Sequence, residues 1–149
     1  MTSPLIIGFY GSSNSGKTTL ITNIIRRFTE DDYNVSSIKQ TTHPYSIDSP
    51  GKDTYKHAEA GAELVCFQSA VETSFIVKEQ MDINSILKII TSIGTFDIII
   101  IEGACDDQIQ KIRIDETTPL RNNTVFTVNG DINKVISFIE QKLEQKDGK

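Results

Sequence analysis

Apolar residues fall along this chain in two rhythms that alternate. Leu5-Ile6-Ile7-Gly8-Phe9-Tyr10 is a continuous β-prone run, the form of a strand buried on both faces. Leu20, Ile21, Ile24, Ile25 and Phe28 then recur at helical spacing and predict a helix over 17–28, closed by the polar Thr29-Glu30-Asp31-Asp32. Val35-Ser36-Ser37-Ile38-Lys39 reads as a second strand, and the β–α–β order predicts a right-handed crossover to a parallel partner. Residues 40–52 carry no periodicity and form a long loop, the kind of segment that is usually functional. A short helix over 53–60 follows, with Asp53 as its N-cap and Gly61 as its stop.

The second half continues the alternation. Ala62-Glu63-Leu64-Val65-Cys66-Phe67 and Thr73-Ser74-Phe75-Ile76-Val77 are close enough to pair as a hairpin, giving the sheet an antiparallel edge. Ile83, Ile86, Leu87, Ile90 and Ile93 make a helix stripe that Gly94 ends. Phe96-Asp97-Ile98-Ile99-Ile100-Ile101-Glu102-Gly103 is the most apolar strand and belongs at the centre. Lys111-Ile112-Arg113-Ile114 alternates and reads as peripheral, and Val125-Phe126-Thr127-Val128 is the last strand. Ile132, Val135, Ile136, Ile139 and Leu143 predict a final helix, with residues 144–149 frayed beyond it. Strands and helices in this order predict an α/β fold with a mostly parallel central sheet between helix layers. The 149 residues suit one domain, 1–149.

Charge and cysteine content narrow the function class. A net charge of -5 argues against nucleic acid or an anionic membrane surface as the main partner. The N-terminus has no signal-peptide pattern and no apolar run approaches a membrane span, so a cytoplasmic location is expected. Cys66 and Cys105 have no metal-ligand spacing and sit beside apolar residues, which predicts buried or half-buried free thiols.

The chemistry is concentrated in Gly11-Ser12-Ser13-Asn14-Ser15-Gly16-Lys17-Thr18, a G-x-x-x-x-G-K-T pattern between a predicted strand and a predicted helix. Glycines let the backbone curl so that its N–H groups converge on phosphate oxygens, and the helix dipole adds positive potential. Lys17 is placed to reach β- and γ-phosphates, and the Thr18 hydroxyl to hold Mg²⁺. A carboxylate is then needed at the end of a neighbouring apolar strand. Glu102 has that form, either holding Mg²⁺ or simply capping the strand, whereas Asp97 at the other end reads as structural. In the long loop, Asp48, Lys52 and Asp53 are either a switch-like segment reaching phosphate or Mg²⁺ or a solvated charged stretch. His43 and His57 read as surface or hydrogen-bonded histidines. No N-K-x-D run is present to read guanine, and Asn129-Gly130-Asp131 is either a base contact or a turn with a helix N-cap.

Together these segments resemble a known family. The P-loop, Ser37-Ile38-Lys39-Gln40-Thr41-Thr42-His43, Asp48-Ser49-Pro50-Gly51-Lys52-Asp53-Thr54, Ala60-Gly61-Ala62 and Phe96–Gly103 are similar, in order and spacing, to the molybdopterin-guanine dinucleotide biosynthesis protein B (MobB) family. The resemblance implies a P-loop NTPase fold, a homodimer, GTP and Mg²⁺ as ligands and weak intrinsic hydrolysis. It also implies a role beside a MobA-type guanylyltransferase in molybdenum-cofactor assembly, with molybdopterin or molybdoenzymes as further partners. Carried over by position, Gly11, Ser12, Asn14, Ser15, Gly16, Lys17, Thr18, Thr19 and Lys52 bind the nucleotide, Thr18 and Glu102 serve Mg²⁺, and Lys17, Asp48, Asp53 and Glu102 act at the reaction centre. Gln40 and Ala104 depart from the family's usual histidine and aromatic residue. Two other readings are a small-molecule kinase on the same scaffold and a non-catalytic assembly scaffold. Only four arginines are present, Arg26, Arg27, Arg113 and Arg121, which disfavours a kinase lid.

Overall fold

Ile98, Ile99, Ile100 and Ile101 have no solvent exposure, and the sheet is built around them in the computed structural model, which describes residues 2–148. They belong to β5 (Ile98–Glu102), which lies between β1 (Leu5–Tyr10) and β2 (Val35–Lys39). Beyond β1 come β6 (Lys111–Arg113) and β7 (Thr124–Thr127), giving the order β2-β5-β1-β6-β7 with every neighbouring pair parallel. A β-branched run stiffens the extended backbone and fills both pleat faces, so it takes an interior place in a covered sheet. The expected crossover from β1 reaches β2 in parallel orientation, but the two strands do not touch. β5 lies between them, with a hydrogen-bonded strand on each of its edges.

Helix α1 (Lys17–Glu30) and helix α4 (Ile132–Asp147) share one core with the sheet. Ile21, Ile24 and Phe28 of α1 and Val135, Ile139 and Leu143 of α4 pack with Leu5, Ile7, Phe9, Ile98, Ile100 and Ile112. The register Leu5↔Ile98 and Ile7↔Ile100 puts these strand residues on the same face. On the reverse face Tyr10, Ile99, Ile101 and Ala104 are also fully buried. Helix α4 runs through Asp147 rather than fraying after Leu143, because Leu143 is buried, Lys146 donates to the Ser3 carbonyl, and Gly148 N–H closes on Glu144 O at 2.7 Å. Lys149 lies outside the described residues.

Strand β6 is not peripheral. It sits between β1 and β7, with Lys111 and Ile112 fully buried. Alternation of charge suggested a solvated face, but the Lys111 ammonium donates to the carbonyls of Ile109 and Asn122, both at 2.8 Å. Those two carbonyls replace water and let a lysine lie inside the sheet.

The chain packs as two compact units. One contains the residues up to Thr41 and those from Lys88 onward, and the other runs from Thr42 to Leu87. In the second unit, β3 (Leu64–Gln68) and β4 (Thr73–Val77) form the expected hairpin. It is a separate two-stranded sheet rather than an edge of the central one. Only Val65 of the two strands is buried. Helix α2 (Asp53–Glu59) precedes the hairpin, with Lys52 rather than Asp53 as its N-cap, and ends at Gly61, whose φ is 113°. Helix α3 (Ile83–Ile93) follows it, and Asp82 accepts from Ser85 N–H and Oγ, each at 2.9 Å, to cap its start. Cys66 and Cys105 are exposed rather than buried. Cys66 points opposite to Val65 on β3, and Cys105 lies one residue past the buried Ala104. Among the described residues no helix is long and apolar enough to cross a membrane.

Candidate functional site

The loop between β1 and α1 emerges at the C-terminal edge of the sheet, where open α/β folds bind ligands. Asn14 and Gly16 adopt positive φ, 64° and 82°, and Ser15 N–H bonds back to Ser12 O at 3.2 Å. Gly11 is close to its neighbours: a Cβ there would lie 2.9 Å from Ser15 Oγ and 3.0 Å from Ile114 Cβ. Helix α1 starts at Gly16 with no side-chain cap and no acidic residue in its first turn. Its leading N–H groups are therefore left for an anion, and no carboxylate opposes one. By contrast, Asp131 caps α4 by accepting from Lys134 N–H at 3.3 Å.

Two further groups in the loop suit phosphate. Lys17 Nζ donates to Gly11 O at 3.2 Å, which holds the ammonium against the loop. Ser15 Oγ is buried without a hydrogen-bond partner, an arrangement that costs about 1–3 kcal/mol unless a ligand oxygen completes it. Ser12 Oγ contacts Thr117 Oγ1 at 3.4 Å, and Thr19 follows Thr18 in the first turn of α1.

The expected Mg²⁺ pair is brought together. Thr18 Oγ1 donates to Glu102 Oε1 at 2.5 Å, across 84 residues of sequence. The strands arrange this: β1 feeds the loop, its neighbour β5 ends in Glu102, and Phe9 pairs in register with Glu102. A hydroxyl and a carboxylate are the hard oxygen donors that Mg²⁺ takes. Sequence reasoning missed the third member, Lys39, whose Nζ lies 3.9 Å from Glu102 Oε2. Its position at the end of β2 was readable, but the pairing Lys39↔Glu102 required knowing that β2 lies beside β5. Gly103, at φ 83°, turns the chain after Glu102, and a Cβ there would come within 2.4 Å of Gln40 O. Gln40 in turn donates from Nε2 to Asp106 Oδ2 at 2.9 Å. Asp97, at the far end of the strand, accepts from Asn34 N–H at 2.7 Å and has the structural role expected.

Asp48, Lys52 and Asp53 belong to the second unit. Asp48 Oδ1 accepts from Ser49 N–H at 3.0 Å and from Thr54 Oγ1 at 3.1 Å. Lys52 N–H closes a turn onto Ser49 O at 3.4 Å, with Pro50 and the positive-φ Gly51 at its centre. The stretch is thus an ordered turn leading into α2.

A cavity of about 210 Å³ adjoins the P-loop. Ser15, Gly16 and Leu20 form one part of its wall. The rest comes from the ends of β6 and β7, through Ile114, Asp115, Val128 and Asn129. Asp115 went unnoticed in the sequence because nothing local marks it. Thr117 donates to it from Oγ1 at 2.5 Å and from N–H at 3.0 Å, and these bonds hold its carboxyl below the ordinary aspartate range. The four arginines have hydrogen-bond partners, Arg26 with Asn23, Arg27 with Asp31 and Glu140, Arg113 with Thr127 and Thr118, and Arg121 with the Ala104 carbonyl, and the Arg113 charge also acts on Asp115.

Comparison with known proteins gives this geometry a family. The profile of "Molybdopterin guanine dinucleotide synthesis protein B" matches residues 6–140. A putative molybdopterin-guanine dinucleotide biosynthesis adapter protein of Methanocaldococcus jannaschii is 35% identical over 98 residues, which is 66% of this chain and 40% of that protein. The molybdopterin-guanine dinucleotide biosynthesis adapter protein of Escherichia coli is 30% identical over 111 residues, 72% of this chain and 63% of its own length. The chain therefore spans less than two thirds of either relative. The crystal structure of Bacillus subtilis MobB superposes with a TM-score of 0.66 at 21% identity, covering 89% of this chain and 96% of that one. A crystal structure of molybdopterin-guanine biosynthesis protein B superposes with a TM-score of 0.67 at 23% identity, covering 94% and 99%. The strand–loop–helix around Lys17, the parallel sheet that carries Glu102 to Thr18 and the match over residues 6–140 agree, and the chain belongs to the MobB family.

Proposed function

We propose that this protein is a GTP-binding adapter of molybdopterin-guanine dinucleotide biosynthesis that hydrolyses GTP slowly and assists a guanylyltransferase of the MobA type. The observation that carries the nucleotide reading is the 2.5 Å bond from Thr18 to Glu102 beside an uncapped, acid-free helix start. The biosynthetic role rests on family membership and on the names of the M. jannaschii and E. coli relatives.

On this reading the N–H groups of residues 11–19 and the orphaned Ser15 hydroxyl take phosphate oxygens. Lys17 turns from Gly11 O to the β- and γ-phosphates. Thr18 and Glu102 hold Mg²⁺, which neutralises charge on the phosphate oxygens when bound. Lys39, with its ammonium 3.9 Å from Glu102 Oε2, orients that carboxylate. Asp48, Lys52 and Asp53, in the ordered turn before α2, are further functional residues that the family resemblance implies. None of the four arginines bonds to the phosphate loop or to Glu102, so turnover of the isolated protein stays below about 1 s⁻¹. A homodimer and a cytoplasmic location complete the proposal.

Glu102→Gln tests it. The amide keeps the shape and removes the charge, so Mg²⁺ should tighten GTP binding about tenfold less than in the wild type, while Mg²⁺-free binding persists. An unchanged Mg²⁺ effect would remove Glu102 from the metal site.

A further inference from the structure

We propose that the cavity beside the P-loop reads a guanine base, with Asp115 as the acceptor for the ring N1–H and the 2-amino group. The inference rests on the nucleotide reading above and adds the residue that selects the base, in a chain that has no N-K-x-D run.

The cavity has the position, size and chemistry for this. It shares Ser15 and Gly16 with the phosphate loop, so a base joined through ribose to a phosphate on that loop falls into it. Its volume, about 210 Å³, equals roughly seven water molecules at about 30 Å³ each, a scale that suits one bicyclic base of ten or so heavy atoms. Leu20, Ile114 and Val128 supply apolar surface for the faces of a flat ring. Asp115 is the acidic group on the wall.

The hydrogen bonds of Asp115 set its selectivity. Both bonds from Thr117 go to Oδ1, which leaves Oδ2 for a ligand. Thr117 also stabilises the ionised form, so the group accepts and does not donate. Guanine presents two adjacent N–H donors on its N1–C2 edge, which Oδ2 accepts together through its two lone pairs. Adenine presents one donor next to the N1 lone pair, which a carboxylate repels. Asn129, at φ 47° in the loop after β7, lines the same cavity; its amide nitrogen donates one hydrogen toward Glu116 Oε1 at 3.5 Å and keeps the second for the 6-oxo group.

The test is calorimetric titration of the full chain and of Asp115→Asn with GTP, inosine triphosphate, xanthosine triphosphate and inorganic tripolyphosphate, all with Mg²⁺. Inosine lacks only the 2-amino group, and xanthine replaces it with a carbonyl that an asparagine amide can donate to. We expect the wild type to favour GTP over each alternative by about 10- to 100-fold. Asp115→Asn should lose that margin against xanthosine triphosphate while binding tripolyphosphate as the wild type does. Equal wild-type affinity for GTP and inosine triphosphate, or an unchanged GTP-to-xanthosine preference in Asp115→Asn, overturns the inference and leaves the phosphate site standing. Failure of the wild type to bind both GTP and tripolyphosphate overturns the phosphate site and the base pocket together.

Discussion

Gly103 illustrates how narrowly single residues are set around Glu102. Its φ of 83° belongs to the left-handed region, and any side chain would meet Gln40 O at 2.4 Å. Gly103→Ala should lower stability by about 2 kcal/mol or more, from strain and from displacement of the β2 end, read as a lower denaturant midpoint. A midpoint within error of wild type would show that the turn relaxes freely. The same scale explains Ala104, where the family resemblance implies an aromatic side chain. Ala104 is fully buried, and a Cβ on Gly8 would lie only 2.4 Å from its own Cβ. With Gly8 opposite it, this position is closely filled by a methyl group. At residue scale the sequence was most legible where chemistry is local. The loop from Gly11 to Thr18 declares itself because its function needs contiguous glycines, a lysine and a hydroxyl.

Elements were legible through periodicity, and their partners were not. The isoleucine run at 98–101 and the stripe at Ile21, Ile24 and Phe28 stand where the pattern put them. The misreadings of strand placement share one cause, that hydrophobic pattern reports burial of a face but not what lies beside an edge. Thus β2 pairs with β5 rather than β1, and the hairpin forms its own sheet. Lys111 is the sharpest case, a buried lysine satisfied by two backbone carbonyls that no local rule announces. Lys111→Met keeps the volume but strands the Ile109 and Asn122 carbonyls. It should cost about 1–3 kcal/mol for each, measured by chemical denaturation. A neutral or stabilising outcome would mean that burial of the charge outweighs both hydrogen bonds.

At the scale of the whole molecule, pH and ligand binding probe the account. Asp82 and Asp115 both titrate below the ordinary aspartate value of 3.8, Asp82 through its bonds from Ser85 and Asp115 through those from Thr117. A carboxyl with a depressed folded-state pKa favours folding above its unfolded value and loses that contribution as pH falls through the folded one. Thermal stability should therefore hold its contribution from these two groups above about pH 5 and lose it progressively below 3.8, by an increment that Asp82→Asn reduces. An acid limb identical in that variant would assign the loss to other carboxylates. The candidate site is also a whole-molecule property. Thr18 and Glu102 stand 84 residues apart, and the cavity draws on α1 and on the ends of β6 and β7. Sequence supplied the parts, and strand order brought them together. The most direct test of the central claim is calorimetric titration of the wild type and of Lys17→Ala with GTP and with ATP, each with Mg²⁺. The account predicts that GTP binds to the wild type, that ATP does not compete with it, and that Lys17→Ala abolishes binding. Tighter binding of ATP, or GTP binding undiminished in Lys17→Ala, would contradict it.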